Sequence, residues 1–338
     1  MKKILKIFGL LLLVVVVCIA AAGVYVTKAL PDVGPAPDIH IERTPERIAR
    51  GKYLANHVTV CIDCHSTRDW SQFAGPPLAG NIGGGGEVFD RTLGFPGSFY
   101  AKNITPAGLK DWTDGEIFRA VTTGVRRDGS PLFPIMPYLH YGQMDKEDIY
   151  SIIAYIRTLE PVVHEVPPSV ADFPVNFIMH TMPAKSAPGQ CPPASDQVNY
   201  GRYLVNAAGC VDCHSMRDKG QIVAGTEFGG GMEFPQPAGV IRSANITPDK
   251  ETGIGNWTRD AFVQHFKMYT DSSYRSPAYT PQDINSPMPW IMYAGMSVQD
   301  LEAIYAYLQT IRPLSHAVTK LEKKPMIAKK DIDAKNSW

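Results

Sequence analysis

Hydrophobic positions fall into one unbroken run and several spaced stripes. The run is Ile7 to Val26, twenty residues without a charge, about the span of a membrane helix. Lys2, Lys3 and Lys6 precede it, and residues 1–30 contain no acid. That bias keeps the N-terminus in the cytoplasm and sends the rest of the chain outside. Ala20-Ala21-Ala22-Gly23 offers a cleavage site, but the apolar run continues past it to Val26. Its length favours an uncleaved anchor, with a cleaved signal as the alternative; both export the bulk of the chain. Cys18 reads as a lipid-facing residue, since Val17 stands where a lipoprotein site needs a small side chain.

The stripes predict helices. Ile149, Ile152, Ile153, Ile156 and Leu159 share one helical face, and Leu301, Ile304, Tyr305, Leu308 and Ile311 repeat the spacing. Asp145 and Ser297 suit their N-caps. Thr113-Asp114-Gly115-Glu116 reads as a capping box, whereas the counterpart at Thr258 lacks the acid three residues on. Earlier helices are expected near 45–54 and 198–204.

These matching stripes belong to a larger repeat. Gly51-Lys52-Tyr53-Leu54 returns as Gly201-Arg202-Tyr203-Leu204, and Asn103-Ile104-Thr105-Pro106 as Asn245-Ile246-Thr247-Pro248. Met136-Pro137-Tyr138 returns as Met288-Pro289-Trp290, and Ala154-Tyr155-Ile156 as Ala306-Tyr307-Leu308. Two copies at so long a period indicate a duplicated unit rather than a solenoid. The units take 43–161 and 194–316. Around them lie an anchor or signal segment (1–30), a linker (31–42), a strap (162–193) and a basic tail (317–338). The strap holds seven prolines together with Phe173, Phe177, Ile178 and Met179. Those apolar groups predict an ordered segment against a protein surface. The tail, ending in Trp338, is expected to be extended and partly packed.

Lysine plus arginine and aspartate plus glutamate both number 33 in 338 residues, which argues against nucleic-acid binding. The 29 glycines and 28 prolines predict long ordered loops, chiefly 71–100 and 219–244. Gly83 to Gly86 lacks the strand and helix that a phosphate cradle needs, so it reads as a loop.

The cysteines carry the chemistry. Cys61-Ile62-Asp63-Cys64-His65 returns as Cys210-Val211-Asp212-Cys213-His214. Cys-x-x-Cys-His is the attachment sequence of c-type haem. Two thiols add across the vinyl groups, and the adjacent histidine lies under the iron. Two covalently attached haem c groups are therefore expected, with Cys61, Cys64, Cys210 and Cys213 as tethers. His65 and His214 are the expected proximal ligands. A zinc site built from both cysteine pairs leaves the paired histidines unexplained. Met136 and Met288 are the expected distal ligands, since each precedes a proline and an aromatic at equivalent positions. His140, Met144, Met292 and Met296 compete by proximity. His57 and His140 have no histidine counterpart in the other copy, and Cys191 reads as an isolated thiol.

Each copy resembles a class I cytochrome c domain, which implies a mostly α fold of two tandem such domains after an N-terminal transmembrane helix. The resemblance implies a tight crossing of first and last helices, through Gly51 with Tyr155 and Gly201 with Tyr307. It also implies a proline carbonyl that accepts from the proximal histidine. Pro77 suits that role for His65, whereas Thr226 stands at the equivalent distance from His214. Residues 43–316 resemble more narrowly the cytochrome c subunit of bacterial membrane-bound alcohol and gluconate dehydrogenases, which usually carry three haem domains. The implied role is an electron carrier, not an enzyme, at the periplasmic face of the cytoplasmic membrane. It would link a dehydrogenase or quinol-oxidising complex to a downstream carrier or oxidase. Alternatives are a dihaem peroxidase and a thiosulfate-oxidising cytochrome with a cysteine ligand. Histidine–methionine coordination argues against both, because it leaves no open position.

Overall fold

A computed structural model describes residues 1–324. The first helix, α1 (Lys2–Ala29), buries no residue, and among the described residues it is one helix long and apolar enough to cross a membrane. The first unit contains α2 (Pro45–Tyr53), α3 (Cys61–Cys64), α4 (Asp114–Thr123), α5 (Tyr138–Tyr141) and α6 (Lys146–Ile156). The strap adds the single turn α7 (Val175–Ile178). The second unit repeats the order with α8 (Gln197–Ala207), α9 (Cys210–Cys213), α10 (Arg259–Lys267), α11 (Trp290–Tyr293) and α12 (Val298–Leu308).

The helices begin where their caps dictate. Asp145 accepts from the Glu147 amide at the start of α6, and Ser297 from the Asp300 amide at the start of α12. The capping box at Thr113 is complete, and Thr258 caps α10 with its hydroxyl alone. In each unit the first helix packs on the last, α2 on α6 and α8 on α12. Glycine permits the contact. A Cβ on Gly51 would lie 1.8 Å from the Ser151 carbonyl oxygen, and one on Gly201 1.9 Å from that of Ala303. Tyr155 and Tyr307 are the next residues met, as the resemblance implied.

The glycine-rich stretches hold short strands as well as loops. β1 (Val88–Phe89) and β2 (Gly97–Tyr100) form an antiparallel sheet with β3 (Val170–Ala171). β4 (Arg217–Asp218) and β5 (Gln221–Ile222) make a small ribbon. β6 (Glu233–Gln236) and β7 (Gly239–Arg242) form a sheet with β8 (Leu321–Lys323). The third strand of each larger sheet arrives from beyond its unit's last helix. Part of the expected tail is thus a strand; residues 325–338, with Trp338, lie outside the described residues. The linker is not free either: Ile41 is buried, and its amide donates to Asp114 at 3.0 Å. The strap follows the first unit, with Ala187 and Gly189 donating to the carbonyls of Gly142 and Gln143.

The two units share one apolar cluster, reaching from Leu54 and Ile153 to Leu204 and Leu301. Their contact repeats when the units are exchanged, as in an isologous dimer. Tyr53 of α2 donates to Asp300 of α12, and Tyr203 of α8 donates to Asp148 of α6 at 2.6 Å. The Ser297 amide donates to the Tyr53 hydroxyl at 2.9 Å, and the Asp145 amide to the Tyr203 hydroxyl at 3.3 Å. His57 Nδ1–H donates to the Met292 carbonyl at 2.9 Å; Asn206 Nδ2 donates to the His140 carbonyl at 3.2 Å. His57 and His140, isolated in the sequence, are therefore both interface residues.

Candidate haem-attachment sites

The two Cys-x-x-Cys-His segments fold alike. Each pair of cysteines brackets one helical turn, preceded by a left-handed residue: Val60 at φ 44° and Gly209 at φ 62°. The four thiols are unbridged. Desolvation raises all of them, Cys64 and Cys210 to about 12 and Cys213, the most exposed of the four, to about 11.

The histidines are oriented by carbonyls. His65 Nδ1–H donates to the Lys102 carbonyl at 2.6 Å, and His214 Nδ1–H to that of Ala244 at 2.7 Å. A carbonyl only accepts, so both rings have the proton on Nδ1 and offer Nε2 as a lone pair. Burial lowers both histidines below their usual value, which keeps them neutral as ligation requires. The expected acceptor Pro77 is corrected by this geometry. The residue before Asn-Ile-Thr-Pro accepts in both copies, while Pro77 bridges to Arg68.

The repeated Asn-Ile-Thr builds that acceptor. Asn103 Oδ1 accepts from the amide and hydroxyl of Thr105 at 3.0 and 2.7 Å, and its Nδ2 donates to the Val162 carbonyl at 2.7 Å. Asn245 makes the same bonds to Thr247 and to the Leu314 carbonyl, at 2.9, 2.8 and 2.7 Å. The loop is thereby fastened to the chain leaving the last helix. Glycines let a second strand pass beside it. Gly85 and Gly230 donate to the His65 and His214 carbonyls, and a Cβ on either would collide with the acceptor loop.

His164 and His316 complete this frame. Each donates from Nδ1 at 2.9 Å to the glycine loop, at Gly84 and Gly229 respectively. Sequence reading missed this pair. The available signal was the common offset of 152 positions, the same as between Met136 and Met288.

Met136 and Met288 are half-buried at the margin of the apolar cluster. The competing Met144 and Met296 are fully enclosed in it, and Met292 nearly so. Two residues after Met136, the Tyr138 hydroxyl is buried without a hydrogen-bond partner. Free Nε2 atoms, paired protonated thiols and this orphaned hydroxyl fit a tethered haem in the first copy. The second copy presents the same set save the hydroxyl, since Trp290 takes that place and its indole donates to Ser286 at 3.1 Å. Cys191 lies elsewhere. Its amide donates to Asp145, and its half-buried thiol is raised to about 11, chiefly by burial, with nearby Asp148 adding to the effect.

Residues 198–312, which include the second Cys-x-x-Cys-His segment, match the cytochrome c family. A cytochrome c domain implies covalently bound haem c. The chain is 29% identical over 282 residues to the fructose dehydrogenase cytochrome subunit of Gluconobacter japonicus, covering 78% of this chain and 52% of that protein. It is 26% identical over 299 residues to the gluconate 2-dehydrogenase cytochrome c subunit of Pantoea cypripedii, covering 83% and 63%. It is also 26% identical over 320 residues to a dihaem cytochrome c-type protein of Cereibacter sphaeroides, covering 88% and 96%. The chain spans about half the length of the dehydrogenase cytochrome subunits it matches first. The resemblance is to electron-carrying subunits, not to catalytic ones.

Proposed function

We propose that the chain is a membrane-anchored dihaem cytochrome c of two tandem class I domains, with one haem c in each copy. Cys61 and Cys64 would hold the first, Cys210 and Cys213 the second. His65 and His214 would bind from the proximal side, Met136 and Met288 from the distal side. Haem so ligated supplies one-electron exchange, with methionine raising the potential and closing the site to substrate. The protein's part is positional: Lys102 and Ala244 fix the imidazoles, and the glycine loops brace their backbones. The observation that carries this reading is that the same carbonyl acceptor meets the histidine in both copies.

We place the copies at the periplasmic face of a bacterial cytoplasmic membrane, held by α1. Its role would be to relay electrons between a dehydrogenase or quinol-oxidising complex and a downstream carrier or oxidase; the named relatives support a dehydrogenase as one partner. An intact mass that includes residues 1–22 is expected; a mature start near Gly23 would replace the anchor with a cleaved signal.

A pyridine haemochrome assay should return two haems per chain. Met136→Ala and Met288→Ala should each remove half of the far-red methionine-to-iron band of the oxidised protein and open one haem to cyanide. A wild-type high-spin haem that binds cyanide rapidly would overturn the carrier reading for that copy.

A further inference from the structure

The strap bears apolar groups that touch little protein. Phe173 is 85% exposed, Val170 59% and Ile178 43%. Leu93, 43% exposed, follows closely on Arg91, which pairs with Asp172 beside Phe173. The expectation that the strap's apolar residues pack on a protein surface therefore fails for Phe173 and Ile178. Exposed clusters of this kind mark an interaction surface.

The position of this cluster identifies its occupant. The turn after α7, Met179–Thr181, packs against α1. His180 Nδ1–H donates to the Leu30 carbonyl at 3.2 Å, and Lys185 lies 4.0 Å from Asp32. Leu30 is four residues beyond the end of the apolar run at Val26, or about 6 Å along a helix. The contact between strap and anchor thus lies within the headgroup layer, roughly 5–8 Å thick on each face of a bilayer.

We propose that Leu93, Val170, Phe173 and Ile178 form a second membrane contact, inserting into the lipid interface beside the exit of α1. This rests on the anchor reading above. The single helix α1 leaves the haem units free to pivot, and a second contact fixes which face they turn to the bilayer. Strap and first unit move together, since β3 pairs with β2 and Asp172 pairs with Arg91.

The test uses the full chain carrying Cys18→Ser and Cys191→Ser, reconstituted in phosphatidylcholine–phosphatidylglycerol liposomes. Single nitroxide labels are placed by Phe173→Cys, Ile178→Cys, Val163→Cys or Leu12→Cys, and an unchanged visible spectrum confirms folding. Relaxation by oxygen should exceed that by a water-soluble nickel complex severalfold at 173, 178 and 12. The reverse should hold at 163, a strap residue that is 96% exposed. An aqueous pattern at 173 and 178, with a lipid pattern at 12, overturns the second contact and leaves the anchor standing. An aqueous pattern at 12 overturns the anchor itself. Low access of both reagents at 173 and 178 shows a protein contact there and overturns the proposal.

Discussion

Asp63 and Asp212 hold the same place in the two haem motifs, yet they meet different neighbours. Both face the arginine five residues on, Asp63–Arg68 at 3.2 Å and Asp212–Arg217 at 2.8 Å. Asp212 gains a second partner across the interface, His140 Nε2 at 2.9 Å. The residue equivalent to His140 in the other unit is Met292, which brings no charge. Asp63 Oδ1 is left without a hydrogen-bond partner. Burial, only partly offset by Arg68, pushes its carboxyl up to about 6. Asp212 is held below the usual carboxylate value: burial opposes this, but His140 and Arg217 outweigh it. A duplicated backbone can thus place equal groups in unequal fields. The same holds one position before each motif. Val60 and Gly209 adopt the same left-handed conformation, which costs a β-branched residue about 1–2 kcal/mol and glycine almost nothing.

The largest effects should come where the copies agree most. Gly51→Val and Gly201→Val each drive a side chain into the carbonyl of the crossing helix. Overpacking costs about 1–3 kcal/mol when neighbours can yield; a backbone carbonyl yields little, so about 3 kcal/mol or more is expected. Urea unfolding checks this. Equal losses at the two sites would confirm that the crossings are equivalent, and an unaffected variant would refute the close contact.

A smaller and unequal effect is expected at the interface tyrosines. Asp148 is bound by Tyr203 and also by Arg50, at 2.8 and 2.9 Å. Asp300 has Tyr53 and Tyr200, with no arginine among these partners. Tyr53→Phe leaves a buried carboxylate with one neutral side-chain donor and should cost about 2 kcal/mol. Tyr203→Phe leaves the arginine in place and should cost about 1 kcal/mol. A double variant whose loss equals the sum would mean that the two bonds are independent. Equal single losses would show that Arg50 does not compensate.

What the sequence revealed was whatever is local. The last helices announced themselves by apolar spacing and by Asp145 and Ser297, and the haem motifs by five adjacent residues each. What it hid depends on distant partners. β3 and β8 return from beyond the helices to complete sheets begun about seventy to ninety residues earlier, so no periodicity marked them. The acceptor of His65 lies 37 residues away, and the familiar proline near the motif was the wrong guide. The repeated Asn-Ile-Thr was the better one, because a motif copied at both sites without chemistry of its own must hold something in place. The interface roles of His57 and His140, the one read as bland and the other as a surface or propionate-contacting residue, were hidden for the opposite reason. Each works against the other copy, where one histidine meets a carbonyl and the other an acid, and neither contact requires its counterpart to be histidine.

The smallest effect separates Asp63 from Asp212 through pH. His140 donates from both ring nitrogens, Nε2 to Asp212 and Nδ1 to Asn206 Oδ1 at 2.8 Å, a geometry that only the charged imidazolium satisfies. Burial and nearby Arg217 oppose that charge. Asp212 and Asn206 outweigh them and hold the histidine above its usual value. A histidine raised in the folded state gives stability that is full below its unfolded value of about 6.5 and fades as the pH rises through the folded one. The His140 contribution should therefore fade from pH 6 to pH 8, while His57 on the same interface, lowered chiefly by burial, works the other way. His140→Met copies the other side of the interface, so it should cost about 1 kcal/mol at pH 6, less at pH 8, and flatten the slope between them. Thermal melts at both values measure this. A variant that keeps the full wild-type slope would show that His140 does not carry the pH dependence, and that the contrast between the two acids has no effect on how the units hold together.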